Sequence, residues 1–396
     1  ILHRGGTGGA IEALERALDE LHPGCRAIAA PMARVGIYLS LKHLIRPGQK
    51  VILSPYTIAD VVNMVLCAGG VPLFADVEPG GSCNIDAAAV LHLLETERDI
   101  GAVLVTHFYG LICNIEPIVV ACARKGIPVV EDAAQSFGAQ LDGKAAGTLG
   151  HAGVFSFGLL KNVTGFMGGA VLTSDVGLER KIREELARLP VMPAPMLLKK
   201  VVKGAGFDIA TFPPVFASSV YWLFRYAYLH GVKLFSNQLD TDSRPVSYSS
   251  FPADYACRMS STQADIIRAH LAQVHRDSEE RIAKAQLYDD GLRDLPGLCC
   301  PPLRRDGSHI YLYYPIQCAD RDALARSLTR RLRDVQVSHH RNCAGLACFA
   351  AFARDCPNAE RAAHSVVYLP TYPGYRESQV RANIDAIRRH FRESNA

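Results

Sequence analysis

The 396-residue sequence predicts an α/β fold. Between positions 50 and 174, short apolar runs alternate with segments of helical character, which is the order of elements found in α/β proteins. The runs are continuously apolar, and this favours strands that are covered on both faces, as in a parallel or mixed sheet. Hydrophobic residues make up 49% of the chain, so a large buried core is expected.

Six apolar runs are predicted as strands, and the segments 84–98 and 115–125 are predicted as crossover helices. Apolar residues at helical spacing predict one long helix over 260–292. The last part of the chain predicts a strand and a helix of a smaller α+β domain. We therefore predict a large domain over 1–250 and a small domain over 251–396. The strand runs are KVILSP from Lys50, VPLFADV from Val71, IGAVLVTH from Ile100, IPVVEDA from Ile127, GVFSFG from Gly153 and GGAVLTS from Gly168.

Charge and cysteine content exclude several kinds of site. The net charge is only +4 and the sequence has no patch rich in Lys and Arg, so a nucleic acid partner is not predicted. The twelve cysteines form no C-x-x-C pair and match no zinc spacing, so no metal is predicted. Because no secretory signal opens the sequence, these cysteines are expected to be reduced thiols of a cytoplasmic protein.

The stretch IPVVEDAAQSFG is the most informative, because its apolar run ends in Glu131 and Asp132. A buried carboxylate is costly unless a partner compensates its charge. Lys161 follows the next predicted strand and precedes a glycine pair. Asp132 and Lys161 therefore predict either a structural salt bridge or a pyridoxal 5′-phosphate (PLP) site. In such a site the lysine binds the cofactor and the carboxylate keeps the ring nitrogen protonated.

Several motifs in the same order resemble the DegT/StrS-type aminotransferases, which are fold-type-I PLP enzymes that mostly aminate nucleotide-linked ketosugars. The resemblance covers most of the chain except about 189–252. It implies a homodimer with a large mixed-sheet α/β domain and a smaller C-terminal α+β domain. The motifs are RPGQKVILSPYT, VVEDAAQSFGA, GTLGHAGVFSFGLLKN, GGAVLTSD, CRMSSTQADIIRAHLAQV and ERAAHSVVYLPTYPGY.

The resemblance implies a role for each matching residue. Lys161 matches the Schiff-base lysine, and Asp132 matches the carboxylate on the pyridine nitrogen. Gln135 matches the residue near the phenolic oxygen of the cofactor. Ser156 matches the hydroxyl that contacts the phosphate.

The phosphate is expected at the helix N-terminus predicted in APMARVGIYLSL, because free N–H groups and the helix dipole attract an anion there. Ala33 and Arg34 occupy the positions where the family usually has Gly-Thr. Arg34 adds a guanidinium that is able to hold a phosphate through two hydrogen bonds.

Three positions depart from the family pattern. Ile58 stands where the family often stacks a Trp or Phe on the PLP ring, so Ile58 or the nearby Tyr56 is expected to cover the ring. Ala256 replaces an asparagine that reaches the phosphate of the partner subunit, and Met167 replaces a glutamate. These departures do not change the expectation of PLP as the cofactor, but they leave open whether the acceptor is the nucleotide-linked sugar that is usual for the family.

Three histidines are candidates for contact with the substrate. His339 and His340, in VSHHRN, match loosely a family segment whose histidine faces the substrate. His107, in VTHFYG, also matches a family position. It is expected either to lie under the cofactor or to satisfy a hydrogen bond in the core.

Residues 190–250 form an insertion that is longer than the family usually carries. It contains FPPVFASSVYWLFRYAYL, about 18 apolar and aromatic residues, but the central Arg225 disfavours a membrane-spanning helix. Three interpretations remain open: internal or subunit-interface packing, which we favour, peripheral membrane contact through 211–231, and the lining of a lipid-like acceptor site.

The sequence thus predicts a PLP-dependent aminotransferase. The donor is expected to be an amino acid, glutamate or glutamine, and the acceptor a keto or aldehyde compound, by resemblance a nucleotide-linked ketosugar of cell-surface glycan or secondary-metabolite biosynthesis. The alternatives are a non-sugar or lipid-like acceptor, and a protein that keeps the fold without turnover. A sugar dehydratase on the same scaffold would carry histidine in place of the lysine, and Lys161 argues against it.

Overall fold

The computed structural model describes residues 9–230, 245–333 and 335–394. Within this part of the chain, the main element is a seven-stranded mixed sheet. Its strands, in spatial order, are β1 (Arg26–Ala30), β10 (Gly169–Thr173), β9 (Ala152–Ser156), β6 (Val129–Asp132), β5 (Ile100–Thr106), β2 (Lys50–Leu53) and β4 (Val71–Phe74). The five strands from β9 to β4 are parallel, and β10 and β1 continue the sheet antiparallel.

All six predicted strand runs lie in this sheet, which confirms the predicted α/β fold class. Strand β1 was not predicted. Helices cover both faces of the sheet, and each face has its own apolar cluster. The helices of this part are α1 (Gly9–Leu21), α2 (Ala33–Leu44), α3 (Ala59–Cys67), α4 (Ala87–Thr96), α5 (Glu116–Lys125), α6 (Val176–Ala187) and α10 (Ser261–Leu271).

A second, antiparallel sheet follows in the C-terminal part of the chain. It consists of β11 (Leu298–Cys299), β12 (Tyr314–Cys318), β15 (Val366–Leu369) and β13 (Gln336–Val337). Four helices accompany it, and the buried faces of three of them form a third apolar cluster with its strands. The helices are α11 (Val274–Leu292), α12 (Arg321–Arg330), α13 (Pro357–Ser365) and α14 (Glu377–Ser394), of which α11, α12 and α14 contribute to that cluster.

Two predicted C-terminal elements differ from the structure. The long helix over 260–292 is wrong as a single element, because it is divided into α10 and α11 at Ala272 and Gln273. The two halves pack on different partners: α10 lies against α1, and α11 lies against α14. The predicted strand HIYLYYPIQC enters the second sheet only from Tyr314.

Backbone hydrogen bonds connect segments next to the large sheet with segments next to the second sheet. Strand β3 (Tyr56–Thr57) pairs with β14 (Arg341–Asn342), which follows the second sheet's β13. The N–H groups of Ile310 and Leu312 donate to the carbonyls of Gly110 and Tyr109, at 3.0 and 2.8 Å. A small hairpin of β7 (Gln140–Leu141) and β8 (Lys144–Ala145) forms a separate pairing.

The predicted insertion 190–250 is helical over most of its described part. It contains α7 (Ala194–Thr211), α8 (Pro213–Val215), a π-helical turn at Phe216–Val220 and α9 (Tyr221–Leu229). Residues 231–244 of the insertion, including the last residue of the segment 211–231, lie outside the described residues. In the described ranges, none of the helices is both long and apolar enough to span a membrane.

Candidate active site

Lys161 lies in the loop between β9 and β10 and is half-buried. Burial of its amine lowers the pKa to about 8, although the carboxylate of Asp132 acts in the opposite direction. The positive charge of Arg34 lowers this pKa further. A lysine with a lowered pKa carries a larger fraction of neutral amine, which is the form that attacks an aldehyde.

Asp132 ends β6 and is buried. Burial raises its pKa, and two groups oppose this effect: the N–H of Ala134, which donates to Oδ1 at 3.1 Å, and the charge of Lys161. Asp132 and Lys161 are therefore electrostatically coupled at the carboxyl edge of the sheet. This is the arrangement that the sequence predicts for a carboxylate on a ring nitrogen.

The predicted phosphate site brings Ala33, Ser156 and Gly169 together. Helix α2 begins at Ala33, and Met32 before it provides no side-chain cap, so the first turn offers its N–H groups to an anion. Gly169 pairs with Ser156 across β10 and β9. A Cβ atom on Gly169 would lie 2.6 Å from the nitrogen of Ala33, so only glycine lets the strand approach the helix this closely.

Arg34 is held by acidic and aromatic neighbours that the sequence analysis missed. Its guanidinium donates to Asp60 and to Tyr255 Oη, the latter at 2.6 Å, and it lies 5.3 Å from the centre of the Tyr255 ring. Asp60 also accepts a hydrogen bond from Tyr248 Oη at 2.7 Å. The available signal was the position of Asp60, two residues after Ile58, which is one of the two residues expected to cover the cofactor ring.

Gln135 connects the site to the second sheet. Its Oε1 accepts the backbone N–H of Tyr109 at 2.9 Å, so its amide nitrogen is directed to Nε2 of His340, 3.4 Å away. Nδ1 of His340 lies 2.9 Å from Tyr368 Oη. Burial lowers the pKa of His340, and His339 and Lys161 lower it further, so this imidazole is neutral.

The two candidates for covering the cofactor ring differ in exposure. Tyr56 is fully buried, and its hydroxyl lies 2.8 Å from Tyr109 Oη and 2.7 Å from Ser338 Oγ. Ile58 is half-buried at the start of α3. Of the two, Ile58 is the one with side-chain surface left for a ring.

His107 is fully buried below the site. Its Nδ1 accepts the backbone N–H of Cys113 at 3.2 Å, and its Nε2 therefore carries the proton donated to Glu131 at 2.9 Å. The structure gives His107 the core hydrogen bonds that were one of its two predicted roles, and it leaves neither ring nitrogen open to a substrate.

His339 is the most accessible of the three predicted substrate histidines. It is half-buried and stacks on His340, with ring centres 4.4 Å apart. It lines a cavity of about 360 Å³ together with Arg321 and Glu360. A polar acceptor that entered this cavity would meet cationic, acidic and imidazole groups.

The donor set fits PLP. An amine with a lowered pKa, a buried carboxylate and an uncapped helix start match the aldehyde, the ring nitrogen and the phosphate of the cofactor. Lys161, Asp132, Ser156 and α2 would hold these groups.

Comparison with known proteins agrees with this chemistry. The model of the "DegT/DnrJ/EryC1/StrS aminotransferase family" matches residues 4–204 and 224–388. Between these two ranges it passes over 205–223, which lies inside the predicted insertion.

Individual relatives are distant but cover nearly the whole chain. The "Pleiotropic regulatory protein" of Geobacillus stearothermophilus is 27% identical, over 87% of this chain and 79% of its own length. The UDP-N-acetyl-3-dehydro-alpha-D-glucosamine 3-aminotransferase of Acidithiobacillus ferrooxidans is 26% identical, over 97% of this chain and 89% of its own length. The crystal structure of an aminotransferase from Psychrobacter cryohalolentis superimposes with a TM-score of 0.76 at 20% identity and shows the same fold. The superposition covers 98% of this chain and 93% of that chain.

Proposed function

Because the chain belongs to the DegT/DnrJ/EryC1/StrS aminotransferase family, we propose that it uses PLP to transfer an amino group from glutamate or glutamine to a keto or aldehyde acceptor. The acceptor that we propose is a nucleotide-linked ketosugar of cell-surface glycan or secondary-metabolite biosynthesis. The name of the Acidithiobacillus relative supports this class. The observation that carries the proposal is the coupling of Lys161, with its lowered pKa, to the buried Asp132.

Each residue of the site has a distinct task in this proposal. The bound cofactor supplies an electron sink, which stabilises negative charge at the carbon that exchanges its amino group. Lys161 Nζ holds the cofactor covalently between turnovers and moves a proton at that carbon. Asp132 keeps the proton on the ring nitrogen. Gln135 would lie near the phenolic oxygen of the cofactor.

The phosphate would be bound by neutral and charged donors together. The first turn of α2 provides backbone N–H groups, Ser156 provides a hydroxyl, and Arg34 provides a charge that is already oriented by Asp60. Such preorganisation reduces the entropy that is lost when the anion binds.

Borohydride reduction of the purified holoprotein tests the assignment of Lys161. We expect the reduced cofactor on the peptide that contains Lys161, and we expect Lys161→Ala to fold but to lose transamination. A label on Lys42 or Lys144, or turnover that persists in Lys161→Ala, would contradict the proposal. Cofactor that is bound and reducible in a protein that aminates no ketosugar would instead favour a different acceptor or a protein without turnover.

We also propose that the protein is a cytoplasmic homodimer. The support is the family resemblance, in which an asparagine at the position of Ala256 reaches the partner's phosphate. Light scattering coupled to size-exclusion chromatography should give twice the mass of the 43.1 kDa chain. A monomer that binds the cofactor fully would contradict the dimer.

A further inference from the structure

The helices of the insertion expose a large apolar surface. Exposed apolar side chains follow one another along α7: Leu198, Val202, Ile209 and the C-terminal capping residue Phe212 are 55%, 61%, 66% and 57% exposed. At the α-helical rotation of about 100° per residue, these four positions fall within an arc of about 80°. They therefore form one stripe along the helix, which we call the α7 stripe. Its distal half lies in 205–223, the segment that the family model passes over.

Charged side chains border the α7 stripe, and the helix has a net positive charge. Helix α7 contains three lysines and one aspartate, Asp208. Lys199 and Lys203 are exposed at about 100° and 140° around the helix from Leu198, and Asp208 is exposed at about 80° in the opposite direction. Burial, followed by the charges of Lys203, Arg34 and Lys199, lowers the pKa of Lys200, the third lysine of the helix.

Helix α9 adds an aromatic face. Trp222, Leu223 and Tyr226 are 48%, 52% and 60% exposed. The guanidinium of Arg225 lies 5.6 Å from the centre of the Trp222 ring. Helix α9 is attached to the folded body, because Tyr221 Oη and Arg225 Nε donate to the carbonyl of Thr329 at 3.0 and 3.3 Å. The aromatic face is therefore presented outward by a fixed helix.

We propose that α7 and α9 dock peripherally on a membrane surface that contains anionic phospholipids. Exposed apolar patches of this kind mark interaction sites. The cores of protein–protein interfaces are depleted in lysine. Helices that lie in the membrane–water interface instead combine an apolar face with lysines and with Trp or Tyr at the depth of the lipid headgroups. Charge complementarity therefore favours anionic lipid over a second copy of the chain. The proposal does not depend on which acceptor the enzyme uses.

The inner side of α7 gives this docking a consequence for the active site. A Cβ atom on Gly204 would lie 2.5 Å from a ring carbon of Phe166 and 3.6 Å from Leu159, so the helix packs directly on the loop that carries Lys161. A docked enzyme would thus hold its cofactor loop one helix away from the membrane.

Co-sedimentation with vesicles tests the proposal on the purified holoprotein. We expect binding to phosphatidylcholine vesicles that contain about 30% phosphatidylglycerol, weaker binding in high salt, and little binding to phosphatidylcholine alone. The emission of Trp222, the only tryptophan of the chain, should shift to the blue as its indole leaves water.

Paired variants separate the two components of the surface. Ile209→Glu with Phe212→Glu should abolish vesicle binding, whereas Val120→Glu with Val176→Glu, two exposed apolar positions elsewhere, should leave it unchanged. Lys199→Ser with Lys203→Ser should weaken binding by about 25-fold, roughly fivefold for each lysine, and Lys125→Ser with Lys144→Ser should have a much smaller effect.

Three results would overturn the proposal. The first is no co-sedimentation with either vesicle. The second is equal binding by the stripe variant and its control. The third combines two observations: the Trp222 emission is already blue-shifted and does not change when vesicles are added, and the protein is an oligomer that dissociates when Ile209 and Phe212 are changed. Together these observations would identify a subunit interface. Circular dichroism of each variant establishes that it is folded, and none of these positions belongs to the cofactor site.

Discussion

The pKa of Lys161 leads to a prediction that concerns the protein without its cofactor. Burial lowers this pKa from an ordinary value of 10.5 to about 8. At pH 7 the neutral fraction of the amine is then about 10%, compared with about 0.03% for an ordinary lysine. Because only the neutral amine attacks an aldehyde, the site should react about 300-fold faster than an exposed lysine of equal nucleophilicity.

The assay mixes the apoprotein with pyridoxal, which lacks the phosphate and therefore isolates the amine chemistry. The rate of covalent attachment should rise about tenfold per pH unit below the pKa and level off above about pH 8. Asp132 raises the pKa of Lys161, so Asp132→Asn should move the midpoint to lower pH. Arg34 lowers it, so Arg34→Ala should move the midpoint to higher pH.

The two variants are expected to shift the pH midpoint in opposite directions, and this makes the prediction strict. Lys161→Ala provides the background from other lysines. A wild-type midpoint near the ordinary lysine value would show that burial does not control the amine. An upward shift in Asp132→Asn would show that its carboxylate does not act on Lys161.

Three further predictions concern the groups around Lys161. Arg34→Ala should weaken PLP binding by about tenfold to a hundredfold, since a hydrogen bond to a charged group contributes about 1.5–3 kcal/mol. The affinity for pyridoxal, which has no phosphate, should be unchanged. Equal losses of affinity for both ligands, measured by equilibrium titration, would contradict a phosphate contact. Gly169→Ala should lower the free energy of unfolding in urea by about 1–3 kcal/mol, because its Cβ has no room, whereas Gly206→Ala, which has nothing within 4 Å, should not. Glu131→Gln should cost about 1–3 kcal/mol in the same assay, because an amide nitrogen cannot accept the backbone N–H that the buried Oε2 accepts from Gly147. The exposed Glu95→Gln is its control.

The sequence predicts the parallel part of the large sheet because its strands are buried on both faces and are therefore continuously apolar. Strand β1 carries the weaker signal RAIAA, and it lies at the sheet edge directly before α2. A five-residue run of this kind does not distinguish a strand from the approach to a helix. The pairing of β1 with the distant β10 is what fixes its conformation.

The site could be predicted only where one motif carried the chemistry. Asp132 and Lys161 are recognisable because their residue types and order are required by the cofactor. Asp60 and Tyr255 are not, because their contact with Arg34 joins positions that are far apart in the chain. The break at Ala272 is equally invisible to periodicity, since both halves of the segment have helical spacing and only their packing partners differ.

The orientation of Gln135 shows how far the site depends on the whole fold. The backbone N–H of Tyr109 fixes the amide, and the amide faces His340. Tyr109 itself has a φ of 57°, a left-handed conformation that is unfavourable for a tyrosine. Its carbonyl accepts the N–H of Leu312, and Gly110 beside it accepts the N–H of Ile310. The segment that leads into β12 thus holds the backbone that orients Gln135. Loosening of that contact would therefore disturb the cofactor's surroundings before it exposed the core.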